Sequence, residues 1–117
     1  MIIYIAGKIT GDSNYKEKFK RYELYYRLQG HTVLNPAVLP MSDSISYEAY
    51  IRMSKAMLDE ADTIVMLPDY KDSKGALQEL QWAIEQRKEV VYEQQNRAVA
   101  VRRLADNGRV ELCYQKQ

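Results

Sequence analysis

Apolar residues in this chain fall into short continuous runs separated by longer stretches of helical spacing. Ile2, Ile3, Tyr4, Ile5 and Ala6 form the first run, closed by Gly7. A run this short, rich in isoleucine and without polar alternation, predicts a strand buried on both faces. Residues 14–29 carry Tyr15, Phe19, Tyr22 and Tyr26 on one helical face and stop at Gly30. A second strand is predicted over residues 31–34, closed by Asn35-Pro36, and a loop with Pro40, Ser42, Asp43 and Ser44 follows. Ser46 is placed to cap a helix reaching about Glu60, whose stripe is Tyr47, Tyr50, Ile51, Ser54, Met57, Leu58 and Ala61. Residues 63–67 predict a third buried strand. Ser73 then caps a helix to about Lys88, with Ala76, Leu80, Ala83, Ile84 and Arg87 near one face. Residues 90–92 read as a fourth strand. Beyond it a helix over 97–104, a turn at Asn107-Gly108 and a short strand over 110–113 are expected.

Strands alternating with helices, and lacking polar alternation themselves, imply a parallel sheet covered on both faces. The expected fold is therefore a single-domain, doubly wound α/β sheet of four or five strands flanked by helices, flavodoxin- or Rossmann-like, over residues 1–117. Ligands of such sheets bind beyond the carboxyl ends of the strands. That directs attention to the loops at 7–12, 35–46 and 69–73.

Composition narrows the function classes. With 17 basic and 16 acidic residues and no like-charge block, no attraction to nucleic acid or to a membrane surface is expected. No apolar run approaches the roughly 20 residues that span a bilayer. The single cysteine, Cys113, cannot close an internal disulfide, which suits a reducing cytoplasm. No Cys/His cluster has metal-ligand spacing, so no zinc site is expected. Ten tyrosines against one Phe and one Trp read first as half-buried packing and second as a self-association surface.

The loops carry the candidate chemistry. Residues 7–12 begin and nearly end on glycine between a strand and a helix. This is either a tight turn or a cradle of backbone amides for an anion, with Lys8 supplying charge. Gly75, in the first turn of a helix, costs about 1 kcal/mol relative to alanine, which suggests a close approach to the backbone there. Glu79 lies one turn further on, beside an apolar stripe, and is either a surface residue at its edge or a functional carboxylate. Ser54, inside the preceding helix's stripe, can bond back to its own helix. His31 and Trp82 read as structural.

Four segments in order, Tyr4-Ile5-Ala6-Gly7-Lys8-Ile9-Thr10-Gly11, Gly30-His31-Thr32-Val33-Leu34-Asn35-Pro36, Ala61-Asp62-Thr63-Ile64-Val65 and Ser73-Lys74-Gly75-Ala76-Leu77-Gln78-Glu79, resemble the nucleoside 2-deoxyribosyltransferase superfamily. That superfamily includes 2'-deoxynucleoside 5'-monophosphate N-glycosidases and short phage and bacterial members. The resemblance spans about residues 2–93. It implies that Glu79 is the nucleophile at C1' of a deoxyribose, that Tyr4 orients it, and that Gly7, Lys8, Ile9, Thr10, Gly11, Asn35, Ser73 and Gly75 bind substrate. Serine at 73 inclines the implied substrate toward a nucleoside monophosphate over a free nucleoside. Where relatives carry an acid for the departing base, this chain has Ser54; Asp59, Asp69 and Asp72 are the candidate replacements. A phosphate-binding serine that relatives receive from a neighbouring subunit aligns loosely with Ala98, near Arg97, Arg102 and Arg103. A homodimer or higher homo-oligomer is implied, and the implied glycosyl chemistry needs no metal and no organic cofactor. The alternative reading is a catalytically impaired nucleotide-binding module of the same fold.

Overall fold

A computed structural model describes residues 1–94. Four strands, β1 (Ile2–Ala6), β2 (Thr32–Leu34), β3 (Thr63–Met66) and β4 (Glu89–Tyr92), form one parallel sheet in the order β2-β1-β3-β4. Three helices connect them: α1 (Tyr15–Leu28), α2 (Tyr47–Glu60) and α3 (Lys74–Glu85). This is the expected doubly wound α/β arrangement. The helix, turn and strand expected over 97–113, with Ala98, Cys113 and the three arginines, lie outside the described residues.

The two-residue period of a strand distributes β1 between the two layers. Ile3 and Ile5 pack with Val65 and Leu67 against Phe19, Tyr22 and Tyr26 of α1. Tyr4 and Ala6 face the other way, with Ile64 and Met66, into the layer formed by Leu58 and Ala61 at α2 and Ala76 and Ala83 of α3. The central strand β3 is buried throughout, as a continuous apolar run requires, whereas β4 at the sheet edge is only partly covered. The order in which strands are added reverses at β1: the path leaves β1 to form β2 on one side and crosses back to form β3 on the other, all strands staying parallel. Their carboxyl ends flank the switch point where doubly wound sheets bind ligands.

The caps form where expected. Ser46 accepts a hydrogen bond from the Ala49 amide, and Ser73 accepts one from Ala76. The third helix departs from expectation: it ends at Glu85 and does not reach Lys88. Arg87 adopts a left-handed φ of 59°, which turns the chain so that the Lys88 amide bonds the Ala83 carbonyl. Ile84 faces solvent, and the buried stripe of α3 is Ala76, Glu79 and Ala83.

Candidate active site

Tyr4 and Glu79 meet in the layer between the sheet and α2 and α3. The Tyr4 hydroxyl donates to Glu79 Oε2 at 2.7 Å. Tyr4 is fully enclosed and Glu79 is 6% exposed, so the carboxylate is buried and is not a surface residue at the edge of a stripe. Burial pushes the Glu79 carboxyl up to about 7, against the pull of hydrogen bonding from Tyr4 and Ser54, which favours the ionised form. The Tyr4 phenol is driven well above its ordinary value, first by burial and then by the Glu79 charge. Tyr4 therefore stays protonated and acts as a donor.

Glu79 opens onto a cavity of about 570 Å³ at the carboxyl edge of the sheet. Gly7, Ile9 and Thr10 line it after β1; Pro36, Pro40, Met41, Ser42, Ile45 and Ser46 after β2; and Tyr47, Tyr50 and Ile51 from α2. Asp72, Ser73, Lys74, Gly75 and Ala76 complete the wall at the start of α3. One side is thus apolar and aromatic, and the opposite side is a helix N-terminus whose first-turn amides have no partners within the helix. Ser73 Oγ already accepts the Ala76 amide, which leaves the hydroxyl proton free for an anion. Gly75 is not forced by packing: an added Cβ would meet nothing nearer than the Tyr47 hydroxyl at 3.5 Å. It enlarges the cavity one turn below Glu79.

The first loop is organised differently from the anion cradle. An added Cβ at Gly7 would lie 2.9 Å from Leu67 Cβ, so this glycine permits close approach of β1's end to β3's. Gly11, at a φ of 84°, makes the turn into α1 and lies outside the cavity wall. Lys8 is not part of that wall either; its amide donates to Asp69 Oδ1 at 3.1 Å. The charge at the loop belongs to Lys18, whose ammonium reaches the Lys8 carbonyl at 2.8 Å, Asp12 Oδ2 at 2.5 Å and Asp69 Oδ2 at 2.5 Å. Sequence reasoning missed Lys18, because no local spacing pairs it with a carboxylate 51 residues away.

Three other expected site residues also lie off the cavity wall. Asn35 caps a 3-10 turn, Pro36–Val38, accepting the Ala37 amide at 2.8 Å and donating to Glu23 Oε1 at 3.0 Å. Asp69 is committed to the Lys18 cluster. Asp59 bonds Lys55 and Gln86, twelve residues or about 18 Å along α2 from Tyr47. Only Asp72 of the three candidate acids lines the cavity. Sequence reasoning also passed over Tyr50, whose hydroxyl donates to the Pro36 carbonyl at 3.4 Å. Burial, followed by the Glu79 charge, raises its pKa, so this cavity-facing phenol is neutral. Among the described residues, no group of three or more His, Cys, Asp or Glu is placed to hold a metal, and no helix is long and apolar enough to cross a membrane.

Residues 1–92 match the family described as Domain of unknown function (DUF4406). The chain belongs to that family. No curated protein matches it. Among solved structures, 2-deoxyribosyltransferase from the psychrotolerant bacterium Bacillus psychrosaccharolyticus is similar, with a TM-score of 0.64 and 24% identity over 79% of this chain and 71% of that chain. That likeness shows the fold: this DUF4406 chain has the nucleoside deoxyribosyltransferase architecture.

Proposed function

We propose that the chain cleaves or transfers at the N-glycosidic bond of a 2'-deoxynucleoside 5'-monophosphate or deoxynucleoside, through a covalent glycosyl ester on Glu79. The observation that carries this reading is the buried Tyr4–Glu79 pair, 2.7 Å apart, opening onto a ligand-sized cavity at the switch point of the sheet. Glu79 attacks C1', the bond from C1' to the base nitrogen breaks, and its electron pair leaves with the base. Asp72 or solvent supplies the proton the base takes up. Water or a second base then attacks C1' and releases Glu79 as carboxylate. Splitting one displacement into two in this way is the logic of retaining glycosidases. Tyr4 holds the attacking carboxylate in one rotamer, and the apolar wall receives the base.

The helix N-terminus at α3, with Ser73 and the Lys74 side chain, suits the phosphate of a nucleotide. Ile9 and Thr10 approach the sugar from the other side. A second copy of the chain belongs to the same proposal, since Met41 and Tyr47 are exposed apolar residues at the cavity rim.

The test is free-base release from a panel of deoxynucleoside monophosphates, deoxynucleosides and ribonucleotides, with Glu79→Gln beside the wild type. Base released by the wild type alone supports the reading, and equal release by the variant overturns it. A second reading, a nucleotide-binding module without turnover, is favoured by Ser54, which fills the acid's place with a hydroxyl bonded to its own helix. A nucleotide that raises the melting temperature and is recovered intact would select it.

A further inference from the structure

Lys18 and Asp69 fasten together two loops that strand order only places side by side. Asp69 follows β3, and its Oδ1 accepts the Lys8 amide at 3.1 Å while its Oδ2 accepts the Lys18 ammonium at 2.5 Å. Its own carbonyl accepts the Asp72 amide at 3.0 Å, closing the 3-10 turn Tyr70–Asp72 that delivers Ser73 to the start of α3. Lys18, on α1, has three ammonium protons and three acceptors: the Lys8 carbonyl at 2.8 Å, Asp12 and Asp69. Lys8 is thus held by both of its backbone groups. Its neighbours Gly7, Ile9 and Thr10 form one stretch of the cavity wall, and Asp72 and Ser73 belong to another. Neither Lys18 nor Asp69 lines the cavity itself.

We propose that Lys18 and Asp69 form a clamp that makes these two stretches of wall one rigid unit, and that both are positioning residues for the chemistry at Glu79. The role rests on the proposed reading of the cavity, in which Ile9 and Thr10 meet the sugar while Asp72 and Ser73 serve the departing base and the phosphate. A substrate gripped at both stretches reaches Glu79 correctly only while their separation is fixed, and a misplacement of about 1 Å costs about 100-fold in rate. The Lys18 side chain is 14% exposed, so water screens this bridge less than one on an open surface. The clamp is built from the chain's own groups, so no ligand has to supply the order.

Asp12 supplies the control. It meets Lys18 at the same 2.5 Å and with nearly the same exposure, 26% against 27% for Asp69. Each carboxylate also accepts one backbone amide, from Asn14 and from Lys8 respectively. Asp12, however, bonds only within its own loop and α1, so its loss leaves the two stretches of wall joined. The experiment compares Asp12→Ala, Asp69→Ala and Lys18→Met with the wild type by melting temperature, by base release from the deoxynucleoside monophosphate panel and by amide hydrogen exchange. Asp69→Ala and Lys18→Met should lower kcat by about 10- to 100-fold with a smaller change in KM, whereas Asp12→Ala, with a similar fall in melting temperature, keeps its kcat. Equal losses of kcat in Asp12→Ala and Asp69→Ala, or none in either, would reduce the pair to a stability feature and overturn the role. Exchange reads the clamp without any ligand: the Ser73 amide should accelerate in Lys18→Met and stay slow in Asp12→Ala. A Ser73 amide indifferent to Lys18→Met overturns the role whatever the activity. Absent base release by the wild type would instead count against the proposed activity and leave the exchange comparison readable.

Discussion

Replacing Glu79 by glutamine separates the stability of the site from its chemistry. Glutamine has the shape of the protonated carboxyl, and its oxygen can still accept the Tyr4 proton. In the wild type the folded carboxyl titrates at about 7, against 4.5 for an ordinary one. The folded protein thus binds this proton more tightly than the unfolded chain does. Its contribution to stability is fully present below pH 4.5 and is lost as pH rises to about 7. Each pH unit in that window is worth about 1.4 kcal/mol, so the buried charge costs the folded state about 3 kcal/mol above neutrality. Glu79→Gln escapes that cost. Urea unfolding of both proteins at steps from about pH 4.5 to about pH 8, extrapolated linearly to water, measures the difference. Groups such as His31, Asp12 and Asp59 titrate alike in both proteins and cancel in it. The variant should gain on the wild type by about 3 kcal/mol across the window, mostly before pH 7. Parallel curves would mean that Glu79 is solvated when charged, and the argument from burial would fail.

Other outcomes follow from the same geometry. Tyr4→Phe removes the firm donor to Glu79 and should lower the rate of base release by about 10- to 1,000-fold in steady-state assays, with the acid limb of the pH profile moved upward; an unchanged rate would leave Tyr4 a packing residue. Gly7→Ala, whose Cβ would crowd Leu67, should destabilise by about 1–3 kcal/mol in chemical denaturation. Gly75→Ala meets only ordinary contacts and should leave stability equal or higher while weakening nucleotide binding by calorimetry. Lys18→Met should destabilise by about 1–3 kcal/mol and speed hydrogen exchange in residues 7–12 and 69–73, since one ammonium ties both loops. Exchange confined to α1 would contradict that tie.

How the sheet is built could be read along the chain, because the features responsible are local. The continuous apolar runs of β1 and β3 announce burial on both faces, and the face Phe19-Tyr22-Tyr26 announces the layer α1 covers. Ser46 and Ser73 stand where caps are needed, each three residues before the amide it receives. The resemblance of four short segments pointed to Glu79 and Tyr4, whereas residue spacing alone left Glu79 open between surface and site.

Tertiary structure decided what those residues face. Tyr4 and Glu79 are 75 positions apart, and they meet because β1 presents alternate side chains to opposite layers and α3 packs on the same layer as Tyr4. Asp59, Asp69 and Asp72 were equivalent by spacing, yet only Asp72 reaches the cavity, since Asp69 neutralises Lys18 and Asp59 sits far along α2. Spacing attributed Gly75 to a ligand's close approach and left the Gly7 loop open between a tight turn and an anion cradle, and Gly7 answers to Leu67 of the chain itself. Periodicity records which side of an element is buried. Which elements share that side, and hence which polar groups converge in one enclosed space, depends on strand order and on the crossovers, and no local spacing contains either.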